Sequence, residues 1–261
     1  MKTIEFNERA EAVNKTAMEY VTPTGARKVV RSPKTDAVAQ PETVPFKDGS
    51  LAICSWGEGQ PILMVHGWSA TRTDLFHYVA PVIARGFKAV VMDLPAHGES
   101  SGDTCGLNHL GDGVLAVANH VGPLRGVIAH SIGCAASQLA IANGMKVERA
   151  VMLASPHDYE ANAYLFAKHR GLNEIEAAQM IDKLKSLGVK VAIRSKDFVP
   201  AFDVKALIVH SEDDAVIPIS TSEALHSYWK GSQLLRVDGL QHRGVLKDAY
   251  VISKAVRFLT E

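Results

Sequence analysis

The sequence has little of what marks secreted or membrane-spanning proteins. Its three cysteines, Cys54, Cys105 and Cys134, are too few for a disulfide framework, and such sparse use of cysteine is typical of a reducing compartment. The N-terminal sequence MKTIEFNERAEAVNK is charged from its start and has no apolar core of the kind found in signal peptides. No run reaches the roughly 18 apolar residues of a membrane-spanning helix. We therefore expect a cytoplasmic protein without a membrane span.

Neither sign of charge prevails. The chain has 28 lysines and arginines against 28 aspartates and glutamates, so its formal net charge is zero. Binding to nucleic acid or to an anionic membrane depends on clustered positive charge, so neither is expected as a partner. No cluster of histidine, cysteine or acidic residues has the spacing of metal ligands, and we expect no metal and no organic cofactor. The composition indicates no particular oligomeric state.

From residue 61 onwards, short apolar runs alternate with segments of helical spacing. The 261 residues suit one large α/β domain with a small insertion. Because strands that are apolar along their whole length are buried on both faces, the alternation predicts a mostly parallel central sheet with helices on both faces. The predicted strands are residues 61–67, 87–93, 124–130, 149–155, 205–211 and 233–239, and the predicted helices are residues 74–86, 108–122, 131–144, 221–231 and 247–259.

Two parts of the chain fall outside this alternation. Near the N-terminus, short strand candidates at residues 26–32, 42–46 and 51–56 predict an antiparallel edge to the sheet. Residues 157–203 have helical stretches but no core strand, which is typical of a small helical cap over an active site. The predicted organisation is an N-terminal extension over residues 1–44, an α/β core over residues 45–156 and 204–261, and a cap over residues 157–203.

The sharpest local signal is the sequence AHSIG at residues 129–133, between a predicted strand and a helix rich in small residues. In such a turn the nucleophile is exposed above the sheet edge, and the small residues Ala129 and Gly133 let strand and helix approach closely. Ser131 is therefore the candidate nucleophile, and the alternative is an ordinary serine N-cap. Cys134, one helical turn later, is either a redox switch or, as is commoner, a small buried side chain.

A serine hydroxyl needs a neighbouring base, usually an imidazole that is oriented by a carboxylate. Sites in parallel sheets form at the carboxyl ends of the strands. Asp213 and Asp214 follow one predicted strand, and His242 follows the next. The other late histidine, His226, lies within a predicted helix and is expected on the surface. His242 is therefore the candidate base, and both aspartates are candidate acids.

The tetrahedral intermediate of acyl transfer needs N–H donors for its oxyanion. One candidate is the backbone N–H of Ile132, directly after the nucleophile, and the other is the backbone N–H of Trp68 in an earlier loop. We expect the Trp68 indole to line the substrate pocket as well. The candidate substrate-binding residues are Trp68, His130 and Tyr164.

Taken together, these segments resemble the α/β-hydrolase superfamily, and within it the serine hydrolases of the esterase and lipase type. The resemblance covers residues 45–261 and depends on four ordered motifs. These are HGW at residues 66–68, DLPAHGES at residues 93–100, AHSIG at residues 129–133 and DAVIP at residues 214–218, with Ala96 and Ala129 where the family commonly has glycine.

The resemblance implies an α/β-hydrolase fold and a triad in the chain order serine, acid, histidine. It favours Asp214 over Asp213, because Asp214 has the family's spacing to Pro218. The implied catalytic residues are Ser131, Asp214 and His242. His97, in the second motif, is expected to be structural.

A serine nucleophile makes hydrolysis of a small-molecule carboxylic ester, through an acyl-enzyme intermediate, the expected chemistry. Four cap residues, Tyr159, Tyr164, Leu165 and Phe166, favour short to medium acyl chains if they face the site; otherwise they hold the cap on the core. The same triad would serve a thioesterase, an amidase or a C–C bond hydrolase. A non-catalytic ligand receptor on the same scaffold is a further alternative.

Overall fold

The computed structural model describes residues 2–25, 33, 34 and 36–261, with the backbone alone for residues 2–8. The strand predicted at residues 26–32 lies outside the described residues. Within them, no helix is both long enough and apolar enough to cross a membrane. Within the same residues, no group of three histidine, cysteine or acidic side chains is placed to hold a metal ion.

In the described part of the chain, eight strands form one sheet. They are β1 (Gln40–Phe46), β2 (Gly49–Trp56), β3 (Pro61–Val65), β4 (Lys88–Met92), β5 (Leu124–His130), β6 (Val147–Leu153), β7 (Lys205–Ser211) and β8 (Ser232–Val237). Their order is β1-β2-β4-β3-β5-β6-β7-β8. The β1/β2 and β2/β4 pairs are antiparallel and all other pairs are parallel. The prediction of a mostly parallel sheet with an antiparallel edge is confirmed.

Helices cover both faces of this sheet. The α-helices of the described residues are α1 (Lys2–Val21), α2 (Phe76–Ile83), α3 (Leu107–Val121), α4 (Ile132–Ala142), α5 (Tyr159–His169), α6 (Glu174–Ser186), α7 (Ser220–Tyr228), α8 (Gln241–Gly244) and α9 (Ala249–Thr260). Successive strand residues point to opposite faces. Thus Leu63 and Val65 of β3 are buried with α3 and α4, whereas Ile62 and Met64 are buried with α2 and α9. Burial on both faces explains why the strands are apolar throughout.

The N-terminal helix α1 packs away from the sheet, on the helices of the predicted cap. Val13, Ala17 and Val21 are buried in one apolar cluster with side chains of α5 and α6, among them Ala163 and Leu184. The apolar partners of α1 lie far along the chain, on α5 and α6. The division into extension, core and cap stays a prediction, but α1 shares its core with the predicted cap.

Candidate active site

Ser131 occupies a tight turn between β5 and α4. Its backbone has φ 53° and ψ −126°, a conformation that costs free energy in any residue with a Cβ. Its N–H donates to the Leu153 carbonyl at 2.9 Å, which holds the turn against β6. The Ser131 side chain makes no capping hydrogen bond to α4, so the alternative of an ordinary N-cap is not supported.

Close approach of α4 to β3 requires a glycine at position 133. A Cβ added to Gly133 would lie 2.4 Å from the His66 carbonyl oxygen and 2.8 Å from that of Val65, and neither backbone atom can move aside cheaply. The other small residue of the motif, Ala129, is fully buried, so its methyl group is accommodated where the family commonly has glycine.

Cys134 is a structural residue of the same turn. Its thiol is fully buried and donates to the carbonyl of Ala129 at 3.1 Å. Burial raises the pKa of this thiol far above its ordinary value, and the thiolate is the form that oxidants attack. A redox switch at Cys134 is therefore not supported.

The structure brings Asp214 and His242 together. Asp214 Oδ2 accepts a hydrogen bond from His242 Nδ1 at 2.8 Å, and Oδ1 accepts from the backbone N–H groups of Val216 and Ile217 at 2.8 and 2.9 Å. An ionised carboxylate only accepts, so the proton of His242 lies on Nδ1 and Nε2 is left with a lone pair. His242 lies in the short helix α8 that follows β8.

The carboxylate of Asp214 is held in its ionised form. Burial alone would raise its pKa, but the hydrogen bond from Ile217 and the hydrogen bond and charge of His242 outweigh burial, and the net effect lowers the pKa. Asp213 does not contact His242: its exposed carboxylate accepts hydrogen bonds from Ser211 Oγ and from the backbone N–H of Gln241.

Two further histidines lie beside this pair. His130, a candidate substrate-binding residue, is only 2% exposed, and its Nε2 donates to the His242 carbonyl at 2.9 Å. Burial, followed by the charge of His242, lowers the pKa of His130 to about 3, so the ring is a neutral support for α8. His210 was not among the predicted site residues; it is fully buried, its Nε2 donates to the Ile217 carbonyl at 2.8 Å, and the same nitrogen lies 3.3 Å from Asp214 Oδ2. His210 stands at the end of β7, four residues before Asp214. This position in the sequence could have identified it as a neighbour of the candidate acid.

The loop of the predicted oxyanion donor Trp68 is tied to the loop after β4. His66 Nε2 accepts from the Leu94 N–H at 3.0 Å, and the Ser69 N–H donates to His97 Nε2 at 3.1 Å. His97 Nδ1 donates to the Pro95 carbonyl at 2.9 Å, which fixes the tautomer. Burial lowers the pKa of His97, so the ring stays neutral and keeps its acceptor nitrogen.

The two predicted oxyanion donors lie on elements that border Ser131. Ile132 is the first residue of α4, and N–H groups in the first turn of a helix have no acceptor within that helix. Trp68 is partly buried, and the centroid of its ring lies 5.2 Å from the centroid of the His97 ring. The roles of Ile132 and Trp68 stay predictions.

The aromatic residues of the predicted cap divide into two groups. Tyr159 and Phe166 pack against Tyr20 of α1, with ring centroids 5.6 and 5.2 Å apart. Tyr164 and Leu165 are 43% and 52% exposed. The expectation that these side chains shape an acyl pocket therefore loses much of its basis, and the preference for short to medium acyl chains stays a prediction.

Comparison with known proteins agrees with the fold. Residues 62–205 match the model of the alpha/beta hydrolase family. A non-heme haloperoxidase from Rhodococcus erythropolis is 25% identical, over 72% of this chain and 87% of the haloperoxidase. A thermophilic esterase from Thermogutta terrifontis has a TM-score of 0.65 at 18% identity, over 84% of this chain and 97% of the esterase. A bromoperoxidase from Bacillus anthracis has a TM-score of 0.66 at 15% identity, over 84% of this chain and 99% of the bromoperoxidase.

Proposed function

Because the chain belongs to the alpha/beta hydrolase family, we propose that it is a serine esterase that cleaves small-molecule carboxylic esters. Ser131 is the nucleophile, His242 the base and Asp214 its acid partner. The observation that carries the proposal is the 2.8 Å hydrogen bond between His242 Nδ1 and Asp214 Oδ2. It leaves a basic imidazole nitrogen at the same sheet edge as the strained turn of Ser131.

The first half of the reaction acylates Ser131. His242 Nε2 takes the hydroxyl proton as Ser131 Oγ attacks the ester carbonyl, and the imidazolium that forms is stabilised by the Asp214 carboxylate. The tetrahedral intermediate then collapses as His242 returns the proton to the leaving alcohol. In the second half, water attacks the acyl-enzyme by the same route and releases the acid.

Stabilisation of the oxyanion is assigned to the backbone N–H groups of Ile132 and Trp68. Each preorganised donor of this kind contributes about 3 kcal/mol to transition-state stabilisation. The position of Ile132 at the start of α4 supports its part, since the N-terminus of a helix favours negative charge. The support for Trp68 is that its loop is fixed by hydrogen bonds to the next loop.

Hydrolysis of p-nitrophenyl esters from acetate to palmitate tests the proposal. We expect the wild type to turn over the short and medium chains, and Ser131→Ala to lose roughly 10⁴-fold or more in kcat/KM. Ser137→Ala is the matched control in α4. Its buried hydroxyl has no hydrogen-bond partner among the described residues, so activity should stay within a few-fold of wild type.

Absence of wild-type turnover at every chain length would show that simple ester hydrolysis is wrong. Thioesters and substrates with a cleavable C–C bond are the next candidates, because the same groups would serve both. A ligand that binds tightly without being turned over would instead favour a receptor on this scaffold.

Peroxide chemistry is a second candidate function, favoured by the non-heme haloperoxidase relative. Hydrogen peroxide could replace water in attack on the acyl-enzyme: the ester bond to Ser131 breaks, the serine hydroxyl is restored and a peracid leaves. The peracid would then oxidise a halide in solution. Assaying ester turnover with hydrogen peroxide and bromide, and following bromination of a phenol, separates this activity from hydrolysis.

A further inference from the structure

The chain segment that follows α1 touches the loop that bears Trp68. The Thr24 N–H donates to Ser69 Oγ at 3.0 Å, and Thr24 Oγ1 lies 3.3 Å from the same oxygen. Gly25 approaches still more closely, since a Cβ added there would lie 2.0 Å from the Ser69 carbonyl oxygen. Neither Thr24 nor Gly25 lies within residues 62–205, which match the family model, and neither belongs to one of the four sequence motifs.

We propose that Thr24 and Gly25 are positioning residues of the oxyanion hole, which hold Ser69, and through it the preceding Gly67–Trp68 peptide, so that the Trp68 N–H faces the reacting carbonyl. The inference rests on the proposed function, because it assigns a role in the same acyl transfer. It gives the N-terminal extension a part in catalysis.

The conformation of Ser69 is the first reason. Its φ is 55°, in the left-handed region that residues with a Cβ rarely adopt. Such a conformation persists only when its surroundings hold it. Ser69 is held from two sides, by His97 Nε2 at its N–H and by the Thr24 N–H at its hydroxyl.

The second reason is that the segment with Thr24 and Gly25 is anchored to the rest of the protein. It therefore cannot move together with the loop that bears Trp68 and Ser69. Val21, the last residue of α1 and three residues before Thr24, is buried against the helices α5 and α6. Its carbonyl accepts from the Cys105 N–H at 2.8 Å, which ties the end of α1 to the core ahead of α3. Thr24 and Gly25 therefore contact Ser69 from a segment whose position is fixed by the core.

The third reason is that a small displacement of this loop has a large effect on the transition state. An oxyanion donor acts only when it lies about 3 Å from the developing charge, and loss of one donor lowers kcat by roughly 10²–10³-fold. A side chain at position 25 must push the Ser69 carbonyl aside, and that carbonyl lies only two peptide units along the chain from the Trp68 N–H.

Gly25→Ala tests the inference, with Thr22→Val as the matched control. Thr22 lies in the same segment but bonds to the Met18 carbonyl and not to Ser69. For Gly25→Ala we expect kcat to fall by roughly 10–100-fold with KM within about twofold. The Ki of a trifluoromethyl ketone, whose adduct carries the oxyanion, should rise by the same factor as kcat/KM falls. Thr22→Val should match wild type in all three constants.

The outcomes separate this inference from the proposed function. A wild type that neither hydrolyses p-nitrophenyl esters nor reacts with a fluorophosphonate refutes the proposed function. An active wild type with a folded, equally active Gly25→Ala variant overturns the inference alone, as does a loss of kcat without a matching rise in the Ki of the ketone. If Gly25→Ala does not fold, Ser69→Ala removes the acceptor of the Thr24 hydrogen bond and should show the same parallel change in kcat/KM and Ki.

Discussion

At the scale of single residues, the neighbouring carboxylates Asp213 and Asp214 have opposite environments. Asp214 is buried, accepts from two backbone N–H groups and contacts His242, whereas Asp213 is exposed and accepts from Gln241. The sequence left both aspartates open, because both follow the same strand. Motif spacing to Pro218 favoured Asp214, but the direction of each side chain depends on the turn after β7, which residue types alone do not determine.

Asp214→Asn should lower kcat/KM by about 10⁴-fold, because an amide can donate to His242 and favour the wrong tautomer. Asp213→Asn is the matched change one residue earlier, and its side-chain oxygen can still accept from the Gln241 N–H. We expect it to change kcat/KM only a few-fold. Steady-state kinetics on one ester compares the two variants, and equal losses would show that Asp214 has no special role.

At the scale of elements, the strands were the most predictable part of the fold. Predicted strands 124–130 and 205–211 coincide with β5 and β7, since apolar runs bounded by turn residues mark buried strands well. The partners of α1 were not predictable. Its apolar face is covered by α5 and α6, and a sequence pattern shows that a helix has an apolar face but not which distant helix covers it.

The residues of the candidate site that lie in a local sequence motif were predictable. The contacts that depend on tertiary packing were not. Ser131 follows from its local sequence, and His242 from its position after the last strand. The contact of Thr24 with Ser69 joins chain segments whose approach depends on packing. Pairs of this kind leave no local signal in a single sequence.

At the scale of the whole molecule, buried neutral histidines make the fold sensitive to acid. Burial, followed by the repulsion that His97 would exert if both rings were protonated, lowers the pKa of His66 to about 3, and burial also lowers that of His130 to about 3. The unfolded chain titrates these rings near pH 6.5. Between about pH 6.5 and pH 3 the unfolded state therefore binds more protons than the folded state, and stability falls as the pH falls.

The free energy of unfolding should be greatest above pH 6.5 and decrease steadily below it. At pH 5 we expect a loss of roughly 4 kcal/mol from His66 and His130 together. Urea unfolding at pH 8, 6.5 and 5 measures this loss, and His66→Asn should flatten the pH dependence. Equal stability at pH 6.5 and pH 5 would show that these rings are not held neutral by the fold.

Covalent labelling with a fluorophosphonate, located by peptide mass spectrometry, tests most directly whether Ser131 is a nucleophile that His242 activates. We expect one adduct per chain, on Ser131, that is absent from Ser131→Ala, retained in Ser137→Ala and formed far more slowly in His242→Ala. An unlabelled wild type, or an adduct on another residue, would contradict the assignment of Ser131 as a nucleophile activated by His242.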